Sequence, residues 1–209
     1  MFNREHGVNI SDKYFNKNFL FSDMLEVNQR YAGGGMSQNY ASLYLFEYLM
    51  QNRKFEYVCE IGSQKGALSL FWANMAGNTE QFYFDTFEIN KKQAWYNRAE
   101  EGSGHWFEKL ETISPYIKSY EMDIFSEQAK NIIIEKISKY KTLVISDGGN
   151  KAKEFDTYSR LLKSEDCIAI HDFNVEVFTN QLDTSEFVLD RFHKFFEDAK
   201  TLFALYKKI

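Results

Sequence analysis

The feature that most constrains this chain is an alternation of short apolar runs with longer helix-compatible stretches. The apolar runs have the length of strands: Tyr57–Ile61, Gln81–Phe87, Ile117–Met122, Thr142–Ser146 and Cys167–His171. The stretches between them fit helices: Ala67–Ala76, Lys91–Glu100, Ser126–Lys139 and Lys151–Leu162. Strands and helices in this order form right-handed crossovers. We therefore predict an α/β fold of the Rossmann-like, doubly wound kind, with a mostly parallel sheet and helices on both faces.

The two ends of the chain depart from this alternation. Tyr40–Met50 is apolar nearly all round, which predicts a helix buried on more than one side, against the sheet or another subunit. Near the C-terminus we predict a further helix within Ser185–Ala199 and a last strand at Leu202–Tyr206. Part of the helical segment, Phe187–Phe192, could equally be a strand.

The composition indicates one packed domain. Hydrophobic residues make up 44% of the 209 residues and there is one proline, which excludes a disordered or linker-rich chain. We expect a helical lead-in over residues 1–55 and a Rossmann-like core over residues 56–209, within a single domain. The N-terminal helices are a candidate surface for a homo-oligomer.

Charge, apolar content and cysteines also narrow the partners and the compartment. The net charge of −5 argues against sequence-independent nucleic-acid binding, which depends on neutralising phosphates. No apolar run approaches the roughly 20 residues of a membrane span, and the N-terminus lacks the apolar segment of a signal peptide. Cys59 and Cys167 lie inside apolar runs, as buried thiols of a reducing compartment do. We expect a soluble cytoplasmic protein without nucleic-acid or membrane partners.

The sharpest local motif is the glycine-containing loop Glu60–Gly66, which ends the first strand and precedes a helix. It places backbone N–H groups at the usual ligand position of an open α/β sheet. A dinucleotide fingerprint needs a glycine where this loop has Gln64, and no Gly-Lys-Ser/Thr of a P-loop follows. A nucleoside ligand without phosphates therefore suits the loop better than a nicotinamide or flavin cofactor.

Acidic residues near the ends of the first three predicted strands fit the groups of such a ligand. Asp85, at the end of the second strand, is placed to accept both ribose hydroxyls, with Glu88 as its nearest competitor. Asp123 could accept from an adenine amino group, and Glu60 from an α-ammonium. Adenine, ribose and amino acid together describe S-adenosylmethionine. Taken singly, each residue could instead cap a helix or serve a tight turn.

The motifs YVCEIGSQKGALSLFWA, FYFDTFE, ISDGGN and LLKSEDCIAIHDF resemble class I S-adenosylmethionine-dependent methyltransferases. The resemblance is to the branch that includes the macrolide sugar O-methyltransferases and the cephalosporin-hydroxylase-like proteins, and it covers about Gln38–Phe173. It implies a cofactor site made by Glu60, Gly62, Ser63, Gly66 and Asp85, with Asp123 at the adenine.

The fourth and fifth predicted strands end in a second polar cluster. Parallel strands present their carboxyl ends to one side, so Asp147 and Asp172 face the same crevice as the glycine loop. With His171 or Asn150 they suit Mg²⁺, and an imidazole ligand would shift the preference toward Mn²⁺. The resemblance implies a divalent cation here that holds vicinal oxygens of the acceptor. The alternative is an ordinary turn followed by a hydrogen-bonded strand-end histidine.

These features together predict a metal-assisted O-methyltransferase acting on a small polyhydroxylated acceptor, such as a sugar or natural product. Lys151 or His171 could receive the proton of the acceptor hydroxyl. The alternatives are a catalytically silent cofactor-binding module and a dinucleotide-dependent oxidoreductase. Four aromatic residues are candidates for the acceptor pocket: Trp95, Tyr96, Trp106 and Phe107.

Overall fold

The computed structural model describes residues 40–63, 66–79, 82–89 and 106–209, and these form one seven-stranded sheet. Its strands are β1 (Tyr57–Ile61), β2 (Tyr83–Glu88), β3 (Ile117–Glu121), β4 (Thr142–Ser146), β5 (Cys167–Ile170), β6 (Phe187–Leu189) and β7 (Ala204–Lys208). The spatial order is β3-β2-β1-β4-β5-β7-β6, with β7 antiparallel to β5 and β6 and the other pairs parallel. The order reverses between β1 and β4, where open α/β sheets bind ligands.

Helices cover both faces of this sheet, as predicted. They are α1 (Tyr40–Arg53), α2 (Ala67–Thr79), α3 (Trp106–Ile113), α4 (Glu127–Lys139), α5 (Lys151–Ser159) and α6 (His193–Asp198). The helix predicted at Lys91–Glu100 lies outside the described residues. None of the described helices is both long enough and apolar enough to cross a membrane.

Alternating side chains of the strands divide the core into two layers. On β1, Val58 packs in the layer with α1 and α2, whereas Cys59 and Ile61 pack in the layer with α4 and α5. All five residues of β1 and of β4 are buried, as strands covered on both faces should be. The doubly wound fold is therefore confirmed.

The first helix is buried on most sides, which matches the uniformly apolar sequence of Tyr40–Met50. Phe46 is fully buried and its ring lies 5.2 Å from the rings of both Trp72 in α2 and Phe196 in α6. At the C-terminal end of α1, Arg53 pairs with the buried Asp190 after β6. The helix thus packs against α2 and α6 of its own chain.

The region Ser185–Ala199 contains the predicted helix in its second half and a strand in the part that the sequence left open. Phe187–Leu189 form strand β6, which pairs with β7, and α6 spans only His193–Asp198. Between them Asp190 makes a turn, because its Oδ1 accepts from the Phe192 amide and its own amide donates to the Leu205 carbonyl. The last strand also lies two residues later than predicted.

At the outer edge of the sheet, a side chain satisfies one backbone amide of β3. Ser119 in β3 has its backbone N–H directed to Glu111 of α3, whose Oε1 accepts it at 2.9 Å. Oε2 of the same carboxylate lies 3.2 Å from Lys118 Nζ. A helix that crosses beside the strand therefore supplies the hydrogen-bond acceptor that a further strand would otherwise supply.

Candidate functional site

A cavity of about 690 Å³ lies across the carboxyl ends of the parallel strands. This volume falls within the range of small-molecule sites. The described residues that line it include one from each strand end: Gly62, Glu88, Asp123, Asp147 and Asp172. The structure thus brings the glycine loop and the second polar cluster into one cavity, as the topology predicts.

The glycine loop and the loop that carries Asp147 approach each other so closely that position 62 must be a glycine. Its φ is +86°, and a Cβ there would lie 2.5 Å from the Asp147 carbonyl oxygen and 2.7 Å from Gly148 Cα. Its amide donates to the Phe87 carbonyl at 2.9 Å. Backbone therefore meets backbone at this point, and a side chain of any size would separate the loops.

Glu60, Ser63 and Gly66 lie at the glycine loop but do not line the cavity. Glu60 is 1% exposed, and its Oε2 accepts from the hydroxyls of Ser69 and Thr86. Ser63 also bonds to Thr86, and the Gly66 amide donates to the Ser63 carbonyl. These contacts place Glu60 beneath the loop, where it ties β1 to β2 and α2.

Burial raises the pKa of Glu60 to about 8, and the negative charges of Asp147 and Glu88 add to the rise. Two hydroxyl hydrogen bonds act in the opposite direction without cancelling it. The unfolded chain releases this proton near pH 4.5. The stabilising effect of the folded environment is therefore complete below that pH, and it is lost as the pH rises toward 8.

We expect Glu60→Gln to reduce the loss of stability at alkaline pH, because glutamine has no proton to release. The wild-type free energy of unfolding should fall by up to about 5 kcal/mol more than that of the variant between about pH 4 and pH 9. Thermal unfolding of both proteins across this range measures the difference. Parallel curves would show that Glu60 titrates normally in the folded chain.

Asp85 is not at the end of its strand, where the sequence reading placed it, and it does not line the cavity. Strand β2 continues for three more residues to Glu88, which lines the cavity. Asp85 is fully buried within the sheet, where its Oδ2 accepts from the Tyr57 hydroxyl at 3.1 Å. Burial raises the pKa of Asp85 to about 6, although the nearby charge of Lys136 opposes the rise.

Asp123 lines the cavity and also orders the loop that follows β3. Its Oδ1 accepts from the Phe125 amide at 2.9 Å, and its carbonyl accepts from the Ser126 amide at 3.0 Å. Ser126 in turn caps α4. Phe125 and Met122 supply apolar surface on either side of Asp123 in the cavity wall.

Asp147, His171 and Asp172 form one compact cluster. Oδ1 of Asp147 lies 2.8 Å from Nδ1 of His171, and Oδ2 of Asp172 lies 3.4 Å from the same nitrogen. One ligand atom from each residue lies within 4.8 Å of the others. Asn150 is not part of the cluster, because its side-chain oxygen caps α5 by accepting from the Lys153 amide. Of the two predicted third ligands, His171 is therefore the one in position.

Lys151 is held beside this cluster by three acceptors. Its Nζ lies 2.7 Å from Glu176 Oε2, 3.1 Å from the Gly148 carbonyl and 3.3 Å from Asp172 Oδ2. Burial alone would lower the pKa of Lys151, but the bond to Glu176 and the neighbouring carboxylates outweigh burial and raise it. The amine is therefore held as an ammonium, a hydrogen-bond donor without a free lone pair.

Two cavity residues were missed by the sequence reading. Glu176 reaches Lys151 because the backbone turns sharply at Asp172, whose φ is +52° and whose carbonyl accepts from the amides of Val175 and Glu176. Glu154 stands in the first turn of α5, below the loop that carries Asp147. Glu176 lies 25 residues from Lys151 in sequence, and Glu154 has the position of an ordinary first-turn acid of a helix, so no motif marks either residue. The aromatic candidates Trp95 and Tyr96 lie outside the described residues, as do the side chains of Trp106 and Phe107.

No protein-family model matches the chain, and no curated protein matches it either. Solved methyltransferase structures do match. One from Geobacter sulfurreducens superposes with a TM-score of 0.54 at 10% identity, over 97% of this chain and 94% of that one. An O-methyltransferase from Bacillus cereus in complex with SAH gives 0.53 at 16%, over 79% and 71%. An SAH-bound methyltransferase from Podospora anserina gives 0.53 at 17%, over 79% and 67%.

The chain has the fold of these methyltransferases. The resemblance inferred from the sequence motifs is thereby confirmed at the level of the fold. In this fold, the cavity at the carboxyl ends of β1 to β5 is the candidate ligand site.

Proposed function

We propose that the protein is an S-adenosylmethionine-dependent O-methyltransferase that uses a divalent cation. The observation that carries the proposal is that one cavity has a glycine loop and acidic strand ends on one side and a carboxylate-histidine cluster on the other. Methyl transfer is a displacement, so two substrates must be held in line. One cavity that spans both clusters can hold them so.

The cofactor side fits S-adenosylmethionine if Glu88 takes the ribose contact that the sequence analysis gave to Asp85. We assign the ribose hydroxyls to Glu88, since it stands at the end of β2 and lines the cavity, and the adenine amino group to Asp123. Gly62 lets the glycine loop lie directly against the Asp147–Gly148 backbone, which borders the other half of the cavity. Glu60, Ser63 and Gly66 hold the loop from below. When bound, S-adenosylmethionine supplies the electrophilic methyl group.

The opposite side of the cavity fits a divalent cation by its donor set. Asp147, His171 and Asp172 offer two oxygens and one nitrogen that already converge. A set that includes imidazole favours Mn²⁺ or a similar transition metal over Mg²⁺. When bound, such a cation would lower the pKa of an acceptor hydroxyl and fix its direction. Small polyhydroxylated acceptors, such as sugars, offer the neighbouring oxygens that suit this arrangement.

Lys151 and His171 receive different roles in this proposal. Lys151 is held as an ammonium by Glu176 and Asp172, so it orients the acceptor oxygen by donating a hydrogen bond. Nδ1 of His171 faces Asp147 and Asp172 and so belongs to the cation site. Neither residue accepts a proton through these atoms while it is so engaged, so the proton of the acceptor hydroxyl, whose pKa a bound cation would lower, would leave to solvent.

Titration calorimetry with S-adenosylmethionine tests the proposal directly. We expect micromolar binding by the wild-type protein and about tenfold weaker binding by Glu88→Gln, because a ribose hydroxyl then loses a charged acceptor. Asp85→Asn is the matched control, since Asp85 is an acidic residue on the same strand that does not line the cavity. Its affinity should stay within about twofold of wild type.

Two further outcomes would count against the proposal. Binding of NADH in place of S-adenosylmethionine would favour the oxidoreductase alternative. If S-adenosylmethionine binds but no hydroxylated acceptor yields SAH in the presence of Mn²⁺ or Mg²⁺, the cofactor site stands and the transferase activity does not.

A further inference from the structure

One buried carboxylate in the cavity floor has no role in the proposed chemistry. Glu154 is 1% exposed. Its Oε2 accepts from the Ser146 hydroxyl at 2.7 Å and from the Gly148 amide at 3.2 Å, and its Oε1 accepts from the Asn150 amide at 3.2 Å. A single side chain is therefore bonded to the beginning, the middle and the end of the segment Ser146–Asn150.

The segment that Glu154 holds touches both halves of the cavity. On one side it carries Asp147, whose Oδ1 lies 2.8 Å from His171 Nδ1. On the other side it contacts the cofactor loop, because the Asp147 amide donates to the Ile61 carbonyl at 2.9 Å and Gly148 Cα lies against Gly62. Any shift of the segment would move the Asp147 carboxylate and the backbone beside Gly62 together.

Gly148 is shaped to receive this carboxylate. A Cβ at Gly148 would lie 2.2 Å from Glu154 Oε1, whereas a Cβ at Gly149 would have nothing within 4 Å. The two adjacent glycines therefore differ in one respect that can be tested. Gly148 leaves room for the Glu154 side chain, and Gly149 faces open space.

We propose that Glu154 is a positioning residue that fixes the Ser146–Asn150 segment for the cofactor and the cation at the same time. The assignment rests on the proposed function, because it concerns the same cavity. A carboxylate suits the task since it accepts all three hydrogen bonds without supplying a donor. A glutamine would turn an N–H group toward one of these donors, and the segment would have to move or leave a buried group unpaired.

The test compares Glu154→Gln with a matched buried carboxylate elsewhere. Asp166 is also 1% exposed and accepts from two backbone amides, those of Thr142 and Lys163, each at 2.8 Å. It lies at the opposite end of β4, so Asp166→Asn should cost stability without touching the cavity. The probes are Mn²⁺ alone, followed by electron paramagnetic resonance, and S-adenosylmethionine alone, followed by calorimetry.

We expect Glu154→Gln to weaken both Mn²⁺ and S-adenosylmethionine binding by about tenfold, whereas Asp166→Asn leaves both within about twofold. Gly148→Ala should act like Glu154→Gln because its methyl group displaces the same carboxylate, whereas Gly149→Ala, whose methyl group meets no protein atom within 4 Å, should melt like wild type. Thermal unfolding of all four variants separates affinity from stability.

Wild-type affinity for both probes in Glu154→Gln and Gly148→Ala would overturn the assignment, and so would an equal loss of affinity in Asp166→Asn. Loss of only one ligand would also overturn it, since the segment would then serve one half of the cavity. A wild-type protein that binds neither probe would overturn the proposed function itself, and this assignment with it.

Discussion

Replacing Asp147 by asparagine should abolish Mn²⁺ binding and methyl transfer while S-adenosylmethionine still binds. The substitution would keep the size of the side chain beside His171 Nδ1 but remove its charge. Removing a residue that only hydrogen-bonds to a metal ligand typically lowers metal affinity by about 10- to 100-fold. Removing a charged ligand itself should therefore lower the affinity for Mn²⁺ by about a hundredfold or more. Equilibrium binding of Mn²⁺ and the rate of SAH formation measure the effect.

The matched control is Asp156→Asn, which removes an aspartate from α5 outside the cavity. Asp172→Asn should reproduce the loss seen with Asp147→Asn, because its Oδ2 belongs to the same cluster. If Asp147→Asn binds Mn²⁺ as wild type does, the cation site is wrong although the cofactor site survives.

Gly62→Ala should cause the largest loss of stability among single changes in the cavity. The alanine would have to adopt a φ of +86° and place its Cβ 2.5 Å from a backbone oxygen that cannot rotate away. Together these effects should cost about 2–4 kcal/mol, which corresponds to a melting temperature lower by about 5–15 °C. Binding of S-adenosylmethionine should fall below detection, because the glycine loop and the Asp147 loop move apart.

Gly149→Ala is the control for this change, since a methyl group there meets nothing within 4 Å. Its melting temperature should match that of the wild type within about 2 °C. A Gly62→Ala protein that melts and binds the cofactor like the wild type would show that the close approach of the two loops is not required.

The parts of the fold that the sequence predicted best are strands with both faces buried. The bounds of β1 and β4 agree with the prediction at both ends, because each apolar run is flanked by charged residues or by Gly62. The end of strand β2 was predicted less well, because the acidic residue Asp85 lies inside the strand and not at its end. Asp85 is stabilised there by a hydrogen bond from Tyr57, on the neighbouring strand, and by the nearby positive charge of Lys136.

The other differences come from contacts that the sequence alone does not show. The sequence left part of Phe187–Phe192 open between helix and strand, and pairing with β7 makes Phe187–Leu189 a strand. Glu154 looks like an ordinary first-turn acid of a capped helix, and only the fold brings its carboxylate under Gly148. The cluster of Asp147, His171 and Asp172 could be predicted because parallel strands place their ends side by side.

The Glu111 side chain bonded to Ser119 has a consequence for how copies of this protein behave in concentrated solution. An exposed edge strand offers unpaired backbone groups to any neighbouring chain and invites aggregation. Here the Ser119 amide of β3 is already satisfied within the protein. Glu111→Ala should therefore promote ordered self-association through β3, a liability that the wild-type edge avoids.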